Sequence, residues 1–208
     1  MKQLILIGYS GHAYVVNDIL LSQNIKAKFY CDATEKTDNP LHLQYLGSET
    51  EAYKNGFFQK KDYFISVGNN LIRRKIQESL SQNGHFPIQA IHSSAIISTF
   101  ATLGHGTMLS IGAAINAFVT IGHGVIINTN ATIEHECKIG DFAHIAPGAV
   151  LCGNVTVGEN TFIGANSVVK QGITIGKNVT IGAGSVVIKN IPDNTTWIGN
   201  PAKQFIKS

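Results

Sequence analysis

Residues 91–120 of the chain read IHSSAI-ISTFAT-LGHGTM-LSIGAA-INAFVT, and the same six-residue period continues without an insertion to Pro192. All seventeen hexads begin with Ile, Leu or Val. A strict period of six fits neither an amphipathic helix, whose apolar residues recur every three or four positions, nor an alternating strand. It is typical of a parallel β-helix of hexapeptide repeats, in which short strands turn at fixed corners.

The residues around each hexad opener agree with this fold. The position two residues before the opener is mostly small, which leaves room for one branched aliphatic side chain per corner. Gly and Asn near the corners supply the positive φ that tight turns need. One coil of about 18 residues cannot bury its own aliphatic row, so the coils must stack. We expect five to six coils, with every opener pointing inward, and a height of about 27 Å.

Composition limits the classes of function. The 208 residues are 44% hydrophobic, carry a net charge of +3 and hold no basic run, which argues against a nucleic-acid partner. No apolar run reaches membrane-spanning length, and Leu4–Ile7 is too short for a secretory signal. Cys31, Cys137 and Cys152 have unrelated spacings, which predicts free thiols in the cytoplasm.

Residues before the repeat alternate between apolar runs and helical patterns. This alternation over about 90 residues predicts a small parallel sheet flanked by helices. Ser48, with Glu51 three residues later, predicts a capping box at the start of the second helix. The predicted strands are 2–7, 27–31 and 62–67, the predicted helices are 14–23, 48–55 and 71–82, and residues 34–44 are predicted to be a loop.

Three loops follow the predicted strands, at the edge where such sheets bind ligands. The first, residues 8–13, is glycine-rich and opens a helix, so its backbone N–H groups can receive a phosphate. Asp32 follows the second strand, 24 residues after Gly8, near the place of an acid that holds a ribose. The third loop contains Gly68. These residues also fit a tight turn without a ligand, and His12 also fits a loop histidine without a role.

One cluster stands out in a repeat that is otherwise poor in charge. Glu134, His135 and Glu136 are consecutive, Asn128 precedes His135 by seven residues, and His144 follows it by nine. A histidine beside a carboxylate is the minimal general base, because the acid fixes the imidazole tautomer and stabilises its charged form. The alternative is a solvated face with casual charge pairing. A metal site would need three convergent histidines, and we expect none.

At this point the sequence resembles the hexapeptide-repeat sugar-nucleotide acetyltransferases. It is most similar to the bacterial UDP-4-amino-sugar N-acetyltransferases of bacillosamine synthesis, with sialic-acid O-acetyltransferases as relatives. The resemblance covers nearly the whole chain. It rests on YSGHA at 9–13, VGNNLIRRKI at 67–76, NTNATIEHECKIGDFAHIAPGAVLCGNVTVG at 128–158 and GNPAK at 199–203.

The resemblance implies a Rossmann-like sugar-nucleotide-binding domain over residues 1–90. It implies a left-handed parallel β-helix with a C-terminal cap over residues 91–208, which binds acetyl-CoA. The acceptor is then a nucleotide-linked 4-amino-4,6-dideoxy sugar, most simply UDP-linked, for the synthesis of a surface glycan or glycoprotein.

The resemblance also implies roles for single residues. His135 is the general base, Glu136 raises its basicity, and Asn128 is a site asparagine. The residues that contact acetyl-CoA are His144, at the thioester, with Ala165 and Ala183. The residues that contact the sugar nucleotide are Gly11, His12, Ala13, Asp32, Ala33 and Gly68. The chain departs from the family where Ala13 and Ala183 replace a glycine and where Ala33 replaces a second acid, and the last change leaves the base or sugar open.

Geometry adds an expectation about assembly. His135 and His144 lie nine residues apart, which is half a coil, so within one chain they are on different sides of the prism. Both can serve one reaction only between subunits, which predicts a homotrimer with three shared sites. In such a site, His144 or a backbone N–H would stabilise the oxyanion.

Three other functions fit parts of the sequence. An O-acetyltransferase acting on sialic acid or another sugar needs the same residues. A zinc-dependent hydrolase resembling carbonic anhydrase shares the β-helix, but the N-terminal domain argues against it. A non-enzymatic module that binds a sugar nucleotide would leave the Glu-His-Glu cluster without a purpose.

Overall fold

A computed structural model describes residues 3–59 and 61–206 of the chain. The N-terminal part is a four-stranded parallel sheet with the order β3-β2-β1-β4, and its buried faces pack against helices. The strands are β1 (Leu4–Ile7), β2 (Ala27–Cys31), β3 (Gln44–Tyr45) and β4 (Asp62–Ile65). The helices are α1 (Gly11–Ser22), α2 (Glu49–Lys54) and α3 (Asn70–Ser81), with a 3-10 helix at Phe57–Gln59.

The N-terminal elements follow the predictions to within one residue, except at three boundaries. Strand β4 ends at Ile65, two residues earlier than predicted. Helix α1 begins at Gly11, three residues earlier than predicted, so Gly11, His12 and Ala13 form its first turn. Gln44–Tyr45 pairs with β2 as an edge strand, where the loop was expected to extend through residue 44. The capping box of Ser48 and Glu51 is confirmed. The predicted start of the first strand at Lys2 lies outside the described residues.

The rest of the chain is a parallel β-helix of three sheets, in which strands pair with the strand 18 residues later, except at the last coil, where Thr180 pairs with Thr196, 16 residues later. The eight-stranded sheet holds β5 (Ala90–Ile91), β8 (Met108–Leu109), β11 (Ile126–Ile127), β14 (His144–Ile145), β17 (Phe162–Ile163), β20 (Thr180–Ile181), β22 (Thr196–Ile198) and the antiparallel β23 (Lys203–Gln204). The six-stranded sheet holds β6 (Ile96–Ile97), β9 (Ala114–Ile115), β12 (Thr132–Ile133), β15 (Val150–Leu151), β18 (Val168–Val169) and β21 (Val186–Val187). The five-stranded sheet holds β7 (Thr102–Leu103), β10 (Thr120–Ile121), β13 (Lys138–Ile139), β16 (Thr156–Val157) and β19 (Thr174–Ile175).

The predicted interior of the prism is confirmed. Every hexad opener from Leu109 to Val187 is buried in one continuous core, and the openers of the first coil pack against that core while half-buried. Trp197 lies opposite Ile181 and covers the end of this core. The expected order of an α/β domain and then a parallel β-helix is therefore confirmed.

Glycines occur at two kinds of position in the prism, directly after a hexad opener and at the corners, and for different reasons. Glycines directly after an opener allow close stacking, because a Cβ on Gly104 would lie 2.5 Å from the carbonyl oxygen of Gly122 in the next coil. The positive φ falls two residues later, at every corner from Gly106 to Gly184. Gly or Asn occupies these corners except at Phe118, Glu136 and Phe142.

The N-terminal domain covers the outer face of the eight-stranded sheet. Ala90, Met108 and Ile126 share a core with residues of α1 and β1. His144 is the next residue of the same row, so the packing of the two parts brings it under the N-terminal domain. A boundary between residues 90 and 91 stays a prediction. Within residues 3–59 and 61–206, none of the helices has the length and apolar character to cross a membrane.

Candidate active site

His135 lies at an exposed corner that follows strand β12. Its Nδ1 is 3.0 Å from Oε2 of Glu136, and the two side chains are 51% and 62% exposed. The carboxylate therefore favours the imidazole tautomer with its proton on Nδ1, which leaves the Nε2 lone pair free. This is the geometry of a general base that is open to a substrate.

The backbone at this corner is strained. Glu136 has a φ of +62° at a position where most other corners use Gly or Asn, and a side chain with a Cβ in that region costs about 1 kcal/mol or more. The Glu136 side chain is 62% exposed, and its oxygen Oε2 contacts His135. This contact is one reason for a glutamate at the corner.

His144 has a different environment on the eight-stranded sheet. Asn128 Oδ1 accepts the backbone N–H of Thr129 at 2.9 Å, so the amide Nδ2 of Asn128 faces His144 Nε2 at 3.3 Å. The Nε2 atom therefore accepts a hydrogen bond, and the neutral ring carries its proton on Nδ1. Phe162 packs edge-on against the ring, with 5.0 Å between the centroids.

The junction with the N-terminal domain holds this ring neutral. Burial lowers the pKa of His144 to about 3, the charges of Arg73 and His12 act in the same direction, and the Gly68 carbonyl opposes them. Burial and the Arg73 charge also lower the pKa of His12 to about 4. His12 Nε2 is buried and has no hydrogen-bond partner among the described residues. A buried polar atom without a partner can form a hydrogen bond with a substrate.

Arg73 is the centre of the junction. The guanidinium is 1% exposed, makes no ion pair with a carboxylate among the described residues, and has a pKa lowered by burial to about 9. Its hydrogen bonds end on the carbonyls of Val67 and Gly68 at 3.0 Å, Gly124 at 2.7 Å and Phe142 at 3.0 Å, and on Oδ1 of Asn70 at 2.9 Å. One side chain thus fixes the loop after β4 to two corners of the β-helix.

The start of α1 forms the first part of the predicted nucleotide edge. Ser10 is the N-cap but makes no side-chain cap bond, so the N–H groups of Gly11 and His12 remain available. A Cβ on Gly11 would meet nothing within 4 Å, whereas a Cβ on Gly8 would lie 2.5 Å from Val67 Cγ2, and the φ of Gly8 is +88°. Gly8 is thus required by the fold, while Gly11 leaves open space at a helix N-terminus, where phosphates bind.

Asp32 has a structural task at the same edge. Its Oδ2 accepts the backbone N–H of Tyr9 at 2.9 Å, and its Oδ1 accepts that of Ala33 at 2.7 Å and lies 3.1 Å from Nζ of Lys36. The carboxylate thereby fixes the first loop to the end of β2. Beside it lies a cleft of about 620 Å³ whose lining includes Gly8, Asp32, Ala33, Glu49 and Lys75.

The predicted site residues therefore fall into separate groups. Asn128, His144, His12 and Gly68 meet at the junction, with Ala13 buried in the adjacent helix turn. His135 and Glu136 form a second group on another sheet, and no hydrogen bond joins Asn128 to them. Ala165 and Ala183 stack one coil apart along the corner that follows the strand row of His144.

Sequence reasoning gave no role to Arg73, although a signal was present. Arg73, Gln77 and Leu80 are the buried residues of α3, and their spacing of four and three residues puts them on one helix face. Among the described residues, no group of three or more His, Cys, Asp or Glu side chains is placed to hold a metal ion.

The chain matches known families over both parts. Residues 3–80 match the family described as PglD N-terminal domain. Residues 118–153 and 136–171 match the bacterial transferase hexapeptide of six repeats, and residues 154–189 match the hexapeptide repeat of succinyl-transferase.

Single relatives agree with these matches. UDP-N-acetylbacillosamine N-acetyltransferase of Bacillus subtilis is 35% identical over 113 residues, which is 52% of this chain and about half, 51%, of that relative. A solved structure of a variant of perosamine N-acetyltransferase from Caulobacter crescentus, in complex with CoA and GDP-perosamine, is 34% identical with a TM-score of 0.94 and covers 100% of this chain and 98% of its own. The acetyltransferase domain of PglB from Neisseria gonorrhoeae, in complex with acetyl coenzyme A, is 34% identical with a TM-score of 0.92 and covers 98% and 99%.

The resemblance seen in the sequence is thus confirmed over the full length of the fold. The chain belongs to the family of hexapeptide-repeat nucleotide-sugar N-acetyltransferases that carry a PglD-type N-terminal domain.

Proposed function

We propose that the protein transfers the acetyl group of acetyl-CoA to the amino group of a nucleotide-linked 4-amino-4,6-dideoxy sugar. The observation that carries this proposal is the exposed hydrogen bond between His135 and Glu136 at a strained corner of a charge-poor prism. Relatives that bind CoA together with GDP-perosamine, and one named for a UDP-linked amino sugar, support the substrate class.

The chemistry requires a base and no covalent enzyme intermediate. The sugar amine attacks the thioester carbonyl, the C–N bond forms, and the C–S bond breaks to release the CoA thiolate. His135 Nε2 accepts the proton that the nitrogen loses, and this proton then passes to the thiolate. Glu136 stabilises the imidazolium between these steps. The products are the N-acetylated sugar nucleotide and CoA.

Each co-substrate has its own part of the chain. We assign the sugar nucleotide to the edge formed by Gly11, His12, Ala13, Ala33 and Gly68, with Asp32 holding the first loop in shape. The unpartnered Nε2 of His12 and the available N–H groups at α1 support this assignment. We assign the pantetheine arm of CoA to the corner that carries Ala165 and Ala183. The thioester end of the arm would then lie at His144.

Ala165 and Ala183 are the alanines at this corner. Their small side chains suit a flat corner along which an extended arm can lie, and Ala183 is exposed. We place the reaction in the cytoplasm, an assignment supported by three free cysteines.

We further propose a homotrimer with sites between subunits. Within one chain His144 lies beneath its own N-terminal domain, while His135 lies at an exposed corner of another sheet. One site would then combine the junction of one subunit with His135 of the next, and a closed ring would repeat this three times.

A substrate screen tests the activity. UDP-, GDP- and dTDP-linked 4-amino-4,6-dideoxy sugars are incubated with acetyl-CoA, release of free thiol is followed, and the product is tested for an amide or an ester. We expect an amide from at least one sugar. Thiol release with sialic acid and an ester product would replace the proposal by O-acetyl transfer.

A glycine substitution tests the nucleotide edge. Because a side chain on Gly11 meets nothing in the free protein, Gly11→Val should leave folding intact. It should raise KM for the sugar nucleotide at least about tenfold, since the backbone can no longer approach the phosphates, and change KM for acetyl-CoA little. An equal rise in both KM values would contradict the assignment.

Subunit mixing tests the shared site. His135→Ala and His144→Ala homotrimers should each be nearly inactive, and trimers reassembled from both should regain activity at interfaces that receive both histidines. Mixed trimers that form and remain inactive would show that the site is not shared in this way.

A further inference from the structure

Gly153 is a glycine that the backbone does not require. Its φ lies outside the positive range in which glycine is favoured, unlike the corner glycines such as Gly148 and Gly172. It also differs from the glycines that follow an opener, such as Gly158, whose Cβ would meet the backbone of the next coil. The reason for glycine at residue 153 is therefore neither a turn nor close stacking of the chain.

The neighbour of Gly153 is the imidazole of His135. A Cβ at residue 153 would lie 2.5 Å from both Cε1 and Nε2 of His135 and 3.1 Å from Nδ1, and these are the three nearest atoms. The two residues occupy equivalent places in successive coils, where the N–H of Asn154 donates to the His135 carbonyl at 2.8 Å. The ring therefore lies directly over the position that a side chain would fill.

We propose that Gly153 is a positioning residue for His135. The absent side chain leaves room for the Cε1–Nε2 edge of the imidazole, while Oε2 of Glu136 lies 3.0 Å from Nδ1. The room at Gly153 and the contact with Glu136 together set the orientation of an exposed ring, which would otherwise sample several rotamers. This inference rests on the proposed role of His135 as the base.

The smallest possible side chain should be enough to disturb this arrangement. An alanine methyl needs about 1 Å more space than the ring now leaves, and a shift of that size costs on the order of 10²-fold in a reaction that depends on near-attack geometry. We expect Gly153→Ala to lower kcat roughly 10- to 100-fold. The KM values for both substrates should change less than about twofold, because neither is bound by this methyl-sized gap.

The experiment is a double-mutant cycle. It compares Gly153→Ala, His135→Ala, the double variant and Gln171→Ala, an exposed residue in the equivalent place of the next coil, as the matched control. Gln171→Ala should behave as the parent protein. In the His135→Ala background, adding Gly153→Ala should change neither kcat nor the melting temperature. The alanine methyl group then has no imidazole ring to displace.

Two readouts separate the outcomes. If His135→Ala loses activity but Gly153→Ala keeps kcat within twofold of the parent, or if Gly153→Ala lowers kcat equally in both backgrounds, the positioning role is wrong and the proposed function stands. If His135→Ala stays active, the proposed base is wrong. The second readout is the position of the ring, which is measured from the NMR signal of His135 Cε1–H. Gly153→Ala should shift this signal, and Gln171→Ala should not. An unshifted signal in Gly153→Ala overturns the proposal.

Discussion

His135 and His144 belong to one β-helix and lie half a coil apart, yet the protein holds them in opposite ways. His135 is exposed and bonded to a carboxylate, whereas His144 is covered by the N-terminal domain, next to a buried arginine. Burial beside a cation disfavours the charged imidazole, which keeps His144 neutral. The comparison therefore supports the proposal that His135 transfers the proton while His144 makes a fixed, neutral contact.

The largest expected effect tests the proton-transfer half of this comparison. His135→Ala should lower kcat roughly 10²- to 10⁴-fold, the usual range for the loss of a general base. Its melting temperature should stay near that of the parent because the side chain is exposed. Steady-state kinetics with a limiting sugar nucleotide, beside thermal unfolding, measure both. A kcat within a fewfold of the parent would remove His135 from the mechanism.

The second prediction concerns Arg73, the buried arginine next to His144. Arg73→Met keeps an aliphatic stem but leaves the acceptors around the guanidinium without a donor. Two of these acceptors, the carbonyls of Gly124 and Phe142, are buried, and the others are partly buried, so unfolding free energy should fall by about 3 kcal/mol or more. Urea unfolding measures the loss.

The adjacent Arg74 supplies a matched control. It is partly exposed and pairs with Glu78 at 2.8 Å and with Glu159 at 3.0 Å, contacts that are screened by solvent. Arg74→Met should cost less than about 1 kcal/mol. Similar losses in the two variants would mean that Arg73 is not the anchor of the junction.

The junction also shows how far the sequence determines the site. The β-helix could be predicted hexad by hexad because its period is local, and the buried Cys137, two residues before an opener, belongs to the same repeat. The contact between His12 and His144 joins residues that are far apart in the chain, so no local pattern reports it. Arg73 and Arg74 are adjacent and chemically alike, and only the packing of the helix buries one and leaves the other partly exposed.

The strand–helix part of the chain was less fully predictable for a related reason. Strand β3 has only two residues and exists because it pairs with β2, so the loop composition before it gave no sign of it. The start of α1 was placed too late because Gly11 is a poor helix former in isolation. Its place in the helix depends on Ala13 and Val16 packing against the sheet.

The third prediction uses the lowered pKa values of His12 and His144, the two half-buried histidines of the junction. Unfolded His12 and His144 take up protons near pH 6.5, but in the folded protein they stay neutral down to about pH 4 and about pH 3. Between these values the unfolded chain binds more protons, so stability should fall as the pH falls from 7 to 5. The loss at pH 5 should be up to about 2 kcal/mol for each histidine.

Urea unfolding at pH 7 and at pH 5 measures this dependence. His12→Gln and His144→Gln should each lose less stability over that interval than the parent, whatever their stability at pH 7. If the parent and both variants show the same pH dependence, the two rings are not held neutral by the fold.

The smallest expected effect tests why a strained residue stands beside the exposed histidine. Glu136 has a φ of +62°, and Asn occupies the same kind of corner at Asn154 and Asn178. Because Asn tolerates this region better, Glu136→Asn should raise unfolding free energy by about 0.5–1 kcal/mol. It should also lower kcat about tenfold, since an amide cannot stabilise the imidazolium as a carboxylate does. The reverse change at a corner away from the site, Asn178→Glu, should lower stability by at least this amount, because it also removes the hydrogen bonds of the Asn178 amide with Asn160 and Asn194. It should leave kcat unchanged. Thermal unfolding and steady-state kinetics on both variants check the pair. A loss of stability in Glu136→Asn would mean that the glutamate serves the fold, and the strain at this corner would no longer be evidence for a base.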